Sequence, residues 1–157
     1  CEERVMGNIK LHKEGQYVPL PYAQLKSPAW RHLSGSAVRL WLELHTRFNG
    51  GNNGQLTLSY AEAGETLGMG KATVQRAYDE LVKHGFIALE KEGNWYHRRA
   101  HEWRLTSKPM QTPKGKVLAT NDWHRWQPQK TEHGSETEPS ASPLVPFQNP
   151  KRRHGSE

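Results

Sequence analysis

Residues 59–86 read SYAEAGETLGMGKATVQRAYDELVKHGF, and the fold turns on how they are read. The stretch predicts two helices joined by a tight, glycine-made corner. Ser59 is a good N-cap, and Glu62 stands three residues later, the spacing of a reciprocal capping box. Ala61, Ala63 and Leu67 give the first helix a small apolar face. Gly68 follows the last periodic residue, where a left-handed C-cap is needed and glycine adopts it without steric cost. Met69 plugs the corner, and a second helix begins near Gly70 or Lys71. On that helix Val74, Ala77, Tyr78, Leu81 and Val82 fall at i, i+3, i+4, i+7 and i+8, one buried stripe. Gly85 closes it, with Lys83 and His84 in the last turn, where cations suit the helix dipole.

Lys71, Thr73, Gln75, Arg76 and Asp79 point away from that stripe and are not core. A short helix, a Gly-containing turn and a polar-faced second helix make the helix-turn-helix pattern. In that pattern the second helix enters the DNA major groove. An ordinary helical hairpin with a solvated outer face is the competing reading of the same residues.

Upstream, Ala37, Leu40, Trp41, Leu44 and Phe48 repeat at helical spacing behind a cap at Ser34 or Ser36, a core helix over 37–48. Residues 49–54, NGGNNG, form a loop by composition. Gln55-Leu56-Thr57-Leu58 alternates as a short strand. Earlier still, Tyr17-Val18-Pro19-Leu20-Pro21 is extended, because proline restricts itself and the residue before it. Residues 22–26 allow one helical turn, Ser27-Pro28 restarts the chain, and Trp30 and Leu33 anchor onto the core. Downstream, Phe86-Ile87-Ala88-Leu89-Glu90 and Glu102-Trp103-Arg104-Leu105-Thr106 both alternate. Between them lies a polar loop with Gly93-Asn94, so the pair predicts a hairpin with a long tip.

This order of elements, with ATVQRAYDELVKHGFIALE across the second helix and first hairpin strand, resembles the winged helix-turn-helix proteins. It is similar to the DNA-binding domains of GntR-type regulators and of plasmid and phage replication initiators. It also resembles short bacterial helix-turn-helix proteins with an LPY…SPAW…RFNG…NNG…LS pattern. Here that pattern is Leu20-Pro21-Tyr22, Ser27-Pro28-Ala29-Trp30, Arg47-Phe48-Asn49-Gly50 and Asn52-Asn53-Gly54. The resemblance covers roughly residues 17–106 and implies a mainly α fold with a small β-hairpin wing, an α+β class. Gly70 stands where the family usually has serine or threonine, which leaves the second helix without a side-chain cap.

Composition bounds the rest. An apolar content of 34% and a mean hydropathy of −0.92 are low for a chain packed throughout. A net charge of +6 suits a polyanionic partner. No apolar run is long enough to span a membrane, and no leader is evident, so a cytoplasmic protein is expected. Cys1 is the sole cysteine, which excludes an internal disulfide and a thiolate zinc site. A chain opening on Cys1 reads as a fragment, a processed form, or a start misplaced ahead of Met6. The expected division is a flexible arm over 1–15, a folded domain over 16–107, and a largely disordered polar tail over 108–157. In the tail, Ser, Thr, Glu and Pro dominate. Its exceptions are Trp123 and Trp126, read as a piece folding back on the domain or as a motif for a protein partner, and Leu144-Val145-Pro146-Phe147. Lys151-Arg152-Arg153 ends the chain as a small basic run.

For duplex DNA, phosphate contacts supply affinity and base edges set specificity. Arg76 and Gln75 are the expected base readers, arginine for guanine and glutamine for adenine. Lys71 and Thr73, near the helix start, are expected to hold the backbone. Arg98 and Arg99 sit at the hairpin tip, placed for a minor groove or its phosphates; a solvated loop is the bland alternative. Lys26, Arg31, Arg39 and Arg47 are further cations that the sequence does not rank. His97 and His101 lack a third ligand at fitting spacing, so no metal is expected. No nucleophile with its base and no phosphate cradle is present, so neither catalysis nor a cofactor is expected. One count opposes the DNA reading: over residues 60–106 the cations and anions are equal in number. A regulator, for which the homodimer common among helix-turn-helix proteins is one expected state, competes with a replication or plasmid-maintenance factor and with a protein-interaction module of the same shape.

Overall fold

The computed structural model describes residues 15–130 of the chain. Among them are five α-helices and two small antiparallel sheets, an α+β arrangement. The helices are α1 (Tyr22–Leu25), α2 (Pro28–Arg31), α3 (Gly35–Thr46), α4 (Tyr60–Leu67) and α5 (Lys71–Lys83). The strands are β1 (Leu56–Thr57), β2 (Ile87–Lys91), β3 (Glu102–Leu105), β4 (Met110–Thr112) and β5 (Gly115–Val117).

Serines start three of the helices. The hydroxyls of Ser27, Ser34 and Ser59 accept the N–H groups of Trp30, Ala37 and Glu62, at 3.2, 3.2 and 3.1 Å. Each removes one unpaired donor from a first turn. The expected capping box is only half made, because the Glu62 carboxylate lies 2.9 Å from Arg47. Gly68 takes the left-handed conformation (φ 63°, ψ 41°) that ends α4. Gly64 matters as much to the corner: a Cβ there would lie 2.7 Å from the Met69 carbonyl oxygen. Gly70 precedes α5 and offers no side-chain cap.

Helices α3 and α5 pack side by side and bury Leu40, Trp41 and Leu44 with Val74, Ala77, Tyr78 and Leu81. Trp30 meets Trp41 and Phe86 edge-on, with ring centroids 5.1 and 5.6 Å apart. The main sheet has the order β1-β3-β2, so Leu56 and Leu89 both stand opposite Trp103, and Ile87 opposite Leu105. Trp103 and Leu105 face the core, and Trp103 stacks on Tyr78 at 4.8 Å. Val82 departs from expectation at 43% exposed. It lies about 80° around the helix from Val74, at the margin of the stripe, where packing runs out.

The boundary expected at residue 107 does not follow the packing. Asn53, only 3% exposed, clamps the chain as it leaves β3. Its amide donates to the carbonyls of Leu105, Lys108 and Pro109 at 3.0, 2.9 and 3.1 Å, and its oxygen accepts the Leu105 N–H at 2.7 Å. The β4–β5 hairpin follows, then Asn121 N–H returns to the Thr106 carbonyl at 2.9 Å. Trp123 is 5% exposed and stacks against Phe86 at 6.2 Å. Gly85 (φ 78°) permits this, since a Cβ there would meet the Asp122 backbone at 2.7 Å. Of the two readings of the tryptophans, burial of Trp123 fits the fold-back one, and Trp126 is half-buried beside it. Composition misled here because a few anchors suffice where most residues are polar.

Residues 1–14 and 131–157 lie outside the described residues. With them go Cys1, nearly all of the expected arm, Leu144-Val145-Pro146-Phe147 and the basic run Lys151-Arg152-Arg153. Among the described residues no helix is long and apolar enough to cross a membrane.

Candidate nucleic-acid interface

The outward side of α5 follows from its register. With Val74, Ala77, Tyr78 and Leu81 buried, Lys71, Gln75 and Arg76 are exposed and Thr73 is half-buried beside them. The Arg76 Nε–H donates only within its own helix, to the Ala72 carbonyl at 3.3 Å. Ala72, Arg76, Asp79 and Lys83 fall at i, i+4, i+7 and i+11, a single stripe.

Assigning partners shows where the charges of the balanced count go. Glu80 turns away from the stripe: its two oxygens accept the Ser34 N–H and hydroxyl, both at 2.6 Å, and tie α5 to the start of α3. Glu62 pairs with Arg47, Glu90 with Arg104 at 2.6 Å, and Glu102 with Lys91 at 3.8 Å. Lys71, Arg76, Lys83, Arg98 and Arg99 stand outside every ion pair among the described residues. Four of the seven acids are thus spent on internal contacts, while Glu65, Asp79 and Glu92 face solvent with these cations. Asp79 is the carboxylate left on the outward stripe.

The β2–β3 hairpin carries its arginines on a folded loop. The Asn94 carbonyl accepts the N–H groups of His97 and Arg99, at 3.2 and 3.0 Å, and its side chain accepts that of Tyr96 at 2.8 Å. Gly93 donates to His101 Nδ1 at 3.1 Å, and a Cβ on Gly93 would run into the Arg99 carbonyl. Arg98 adopts a left-handed conformation (φ 52°), and both arginines are exposed.

Tyr60, which sequence reasoning passed over, joins hairpin to helices. Its ring lies 6.0 Å from His101 and 5.2 Å from Tyr78. Its hydroxyl pKa is raised, first by burial and then by Asp79, which places that carboxylate on the Tyr60 side of α5. The one sequence signal for Tyr60 was its place directly after the Ser59 cap.

The unranked cations now separate. Arg39 donates to the Leu67 carbonyl and holds the end of α4, so it supports the corner from behind. Arg47 bridges Glu43 and Glu62. Lys26 lies over the Tyr22 ring at 5.9 Å. Arg31 is exposed. His97 and His101 are not gathered with other ligands, and no cluster of three His, Cys, Asp or Glu among the described residues would hold a metal. Away from this face, His45 is buried and its pKa falls to about 4. Burial dominates, the bond from Nδ1 to the Trp41 carbonyl opposes it, and Lys108 adds to the lowering.

Compared with protein-family models, curated proteins and solved structures, the chain finds no match.

Proposed function

We propose that this chain is a winged helix-turn-helix protein that binds double-stranded DNA without catalysing a reaction. In this reading α4 and α5 are the helix-turn-helix, α5 is the recognition helix, and the β2–β3 hairpin is the wing. The carrying observation is the sorting of charge described above: Glu62, Glu80, Glu90 and Glu102 are consumed internally while Lys71, Arg76, Arg98 and Arg99 remain outward and outside the ion pairs, against the exposed carboxylates Glu65, Asp79 and Glu92. Arg76 and Gln75 then read base edges, Lys71 and Thr73 hold phosphates at the helix start, and the arginine pair of the hairpin follows the adjoining backbone or minor groove. The role is that of a bacterial or mobile-element transcriptional regulator.

Recovery of bound fragments from a genomic duplex library tests the reading. Arg76→Ala should cost roughly 1–3 kcal/mol at the best site and blur preference at one position. Arg98→Ala or Arg99→Ala should weaken all sequences alike and reduce the salt slope by about one unit per contact. Unchanged binding of the best site by Arg76→Ala sinks the assignment of the reading face. An inverted repeat over promoters supports the regulator; direct repeats at an origin would make the protein a replication factor instead.

A further inference from the structure

A cleft of about 620 Å³ opens at the far end of α5, lined by Lys83, His84, His32, Arg125, Trp126 and Gln127 among others, with no carboxylate in its wall. Its construction begins with Trp126. That indole stacks on His84 at 4.2 Å and meets His32 at 5.2 Å. Each imidazole is fixed in turn: Nδ1 of His84 lies 2.7 Å from the Glu80 carbonyl, and Nδ1 of His32 lies 2.8 Å from the Pro28 carbonyl. These two histidines cap α5 and α2, so the segment bearing Trp126 is docked across both helix ends. Docking brings Arg125 to the same cleft as Lys83. Both are exposed, and neither has an ion-pair partner among the described residues.

Lys83 also belongs to the outward stripe of α5, at i+7 from Arg76, about 10 Å further along the axis. The cleft therefore continues the face that carries the base readers. A helix C-terminus alone repels anions. Here the Glu80 carbonyl is already taken by His84, and two cationic side chains line the cleft at that end. The chemistry is that of a phosphate group.

We infer that Lys83 and Arg125 form a second phosphate contact for the DNA backbone that flanks the site read by α5, supplied by the segment after the hairpin. The inference rests on the DNA reading above and adds a contact outside the helix-turn-helix and its wing. Duplex affinity is measured against salt for the parent, for Lys83→Gln/Arg125→Gln, and for the charge-keeping Lys83→Arg/Arg125→Lys. The glutamine pair should lower the salt slope by about 1.8 units, which shrinks the affinity loss between 50 and 200 mM salt by about tenfold. It should leave the preferred sequence unchanged and lower the melting temperature only by the small effect of losing one helix-end cation, and the charge-keeping pair should restore the parent slope. An unchanged slope in the glutamine pair overturns the inference, while a blurred site in Arg76→Ala keeps the DNA reading standing. Absence of duplex binding by the parent overturns both. Titration with inorganic phosphate separates the remaining source: phosphate binding lost in the glutamine pair, with an unaltered duplex slope, makes the cleft a small-anion site and overturns the assignment to DNA.

Discussion

The two sides of α5 are in different situations. On its inner side Val74, Ala77, Tyr78 and Leu81 are buried, the Tyr78 hydroxyl donates to the Leu58 carbonyl at 2.8 Å, and Glu80 is fixed by Ser34. On its outer side Lys71, Gln75, Arg76 and Lys83 touch solvent or their own helix. One helix thus sets stability with one face and keeps the other uncommitted. Substitutions on the two faces should therefore have separable effects.

The largest separation is expected from Leu81→Ala, which removes buried volume and should cost about 2–5 kcal/mol by urea unfolding. Beside it comes acid. The His45 pKa of about 4 lies below the unfolded value near 6.5, so the unfolded chain takes up its proton first as pH falls. Stability from this residue is complete above about pH 6.5 and declines toward pH 4, by on the order of 3 kcal/mol in all. Unfolding curves at pH 7 and pH 4.5 should show that decline, and His45→Gln should flatten it. Tyr78→Phe is milder, about 1–2 kcal/mol, because it leaves the Leu58 carbonyl buried without its donor. Smallest is Arg76→Ala, whose unfolding free energy should stay within about 0.5 kcal/mol of the parent. A loss of 2 kcal/mol there would break the comparison, since the outer face would then be structural.

Local rules made much of the fold legible. The cap at Ser59, the cap at Ser34 (one of the two serines offered, Ser34 and Ser36), the apolar period of α3 and α5, and Gly68 are each decided within a few residues of chain, whereas the cap at Ser27 was not read. Alternation located β2 and β3 to within a residue. What escaped depends on distant partners. Nothing near Glu62 announces Arg47, and nothing near Trp123 announces Phe86. The β4–β5 hairpin has three-residue strands around Pro113 and Lys114, too short for alternation to register. For the candidate interface, periodicity gave the exposure of Lys71, Gln75 and Arg76. It did not give which acids would be consumed elsewhere, and so left the charge question open. Lys83 was read as a helix-end cation, because its cleft exists only once Trp126 is docked.

The seat of Trp123 on Phe86, made possible by the bare Cα of Gly85, also bears on biosynthesis. A nascent chain emerges N-terminal end first, so the helices and the hairpin leave the ribosome while that aromatic face is still naked. A premature stop or a protease nick between Lys108 and Asn121 would release a body with an oily facet in place of a sealed one.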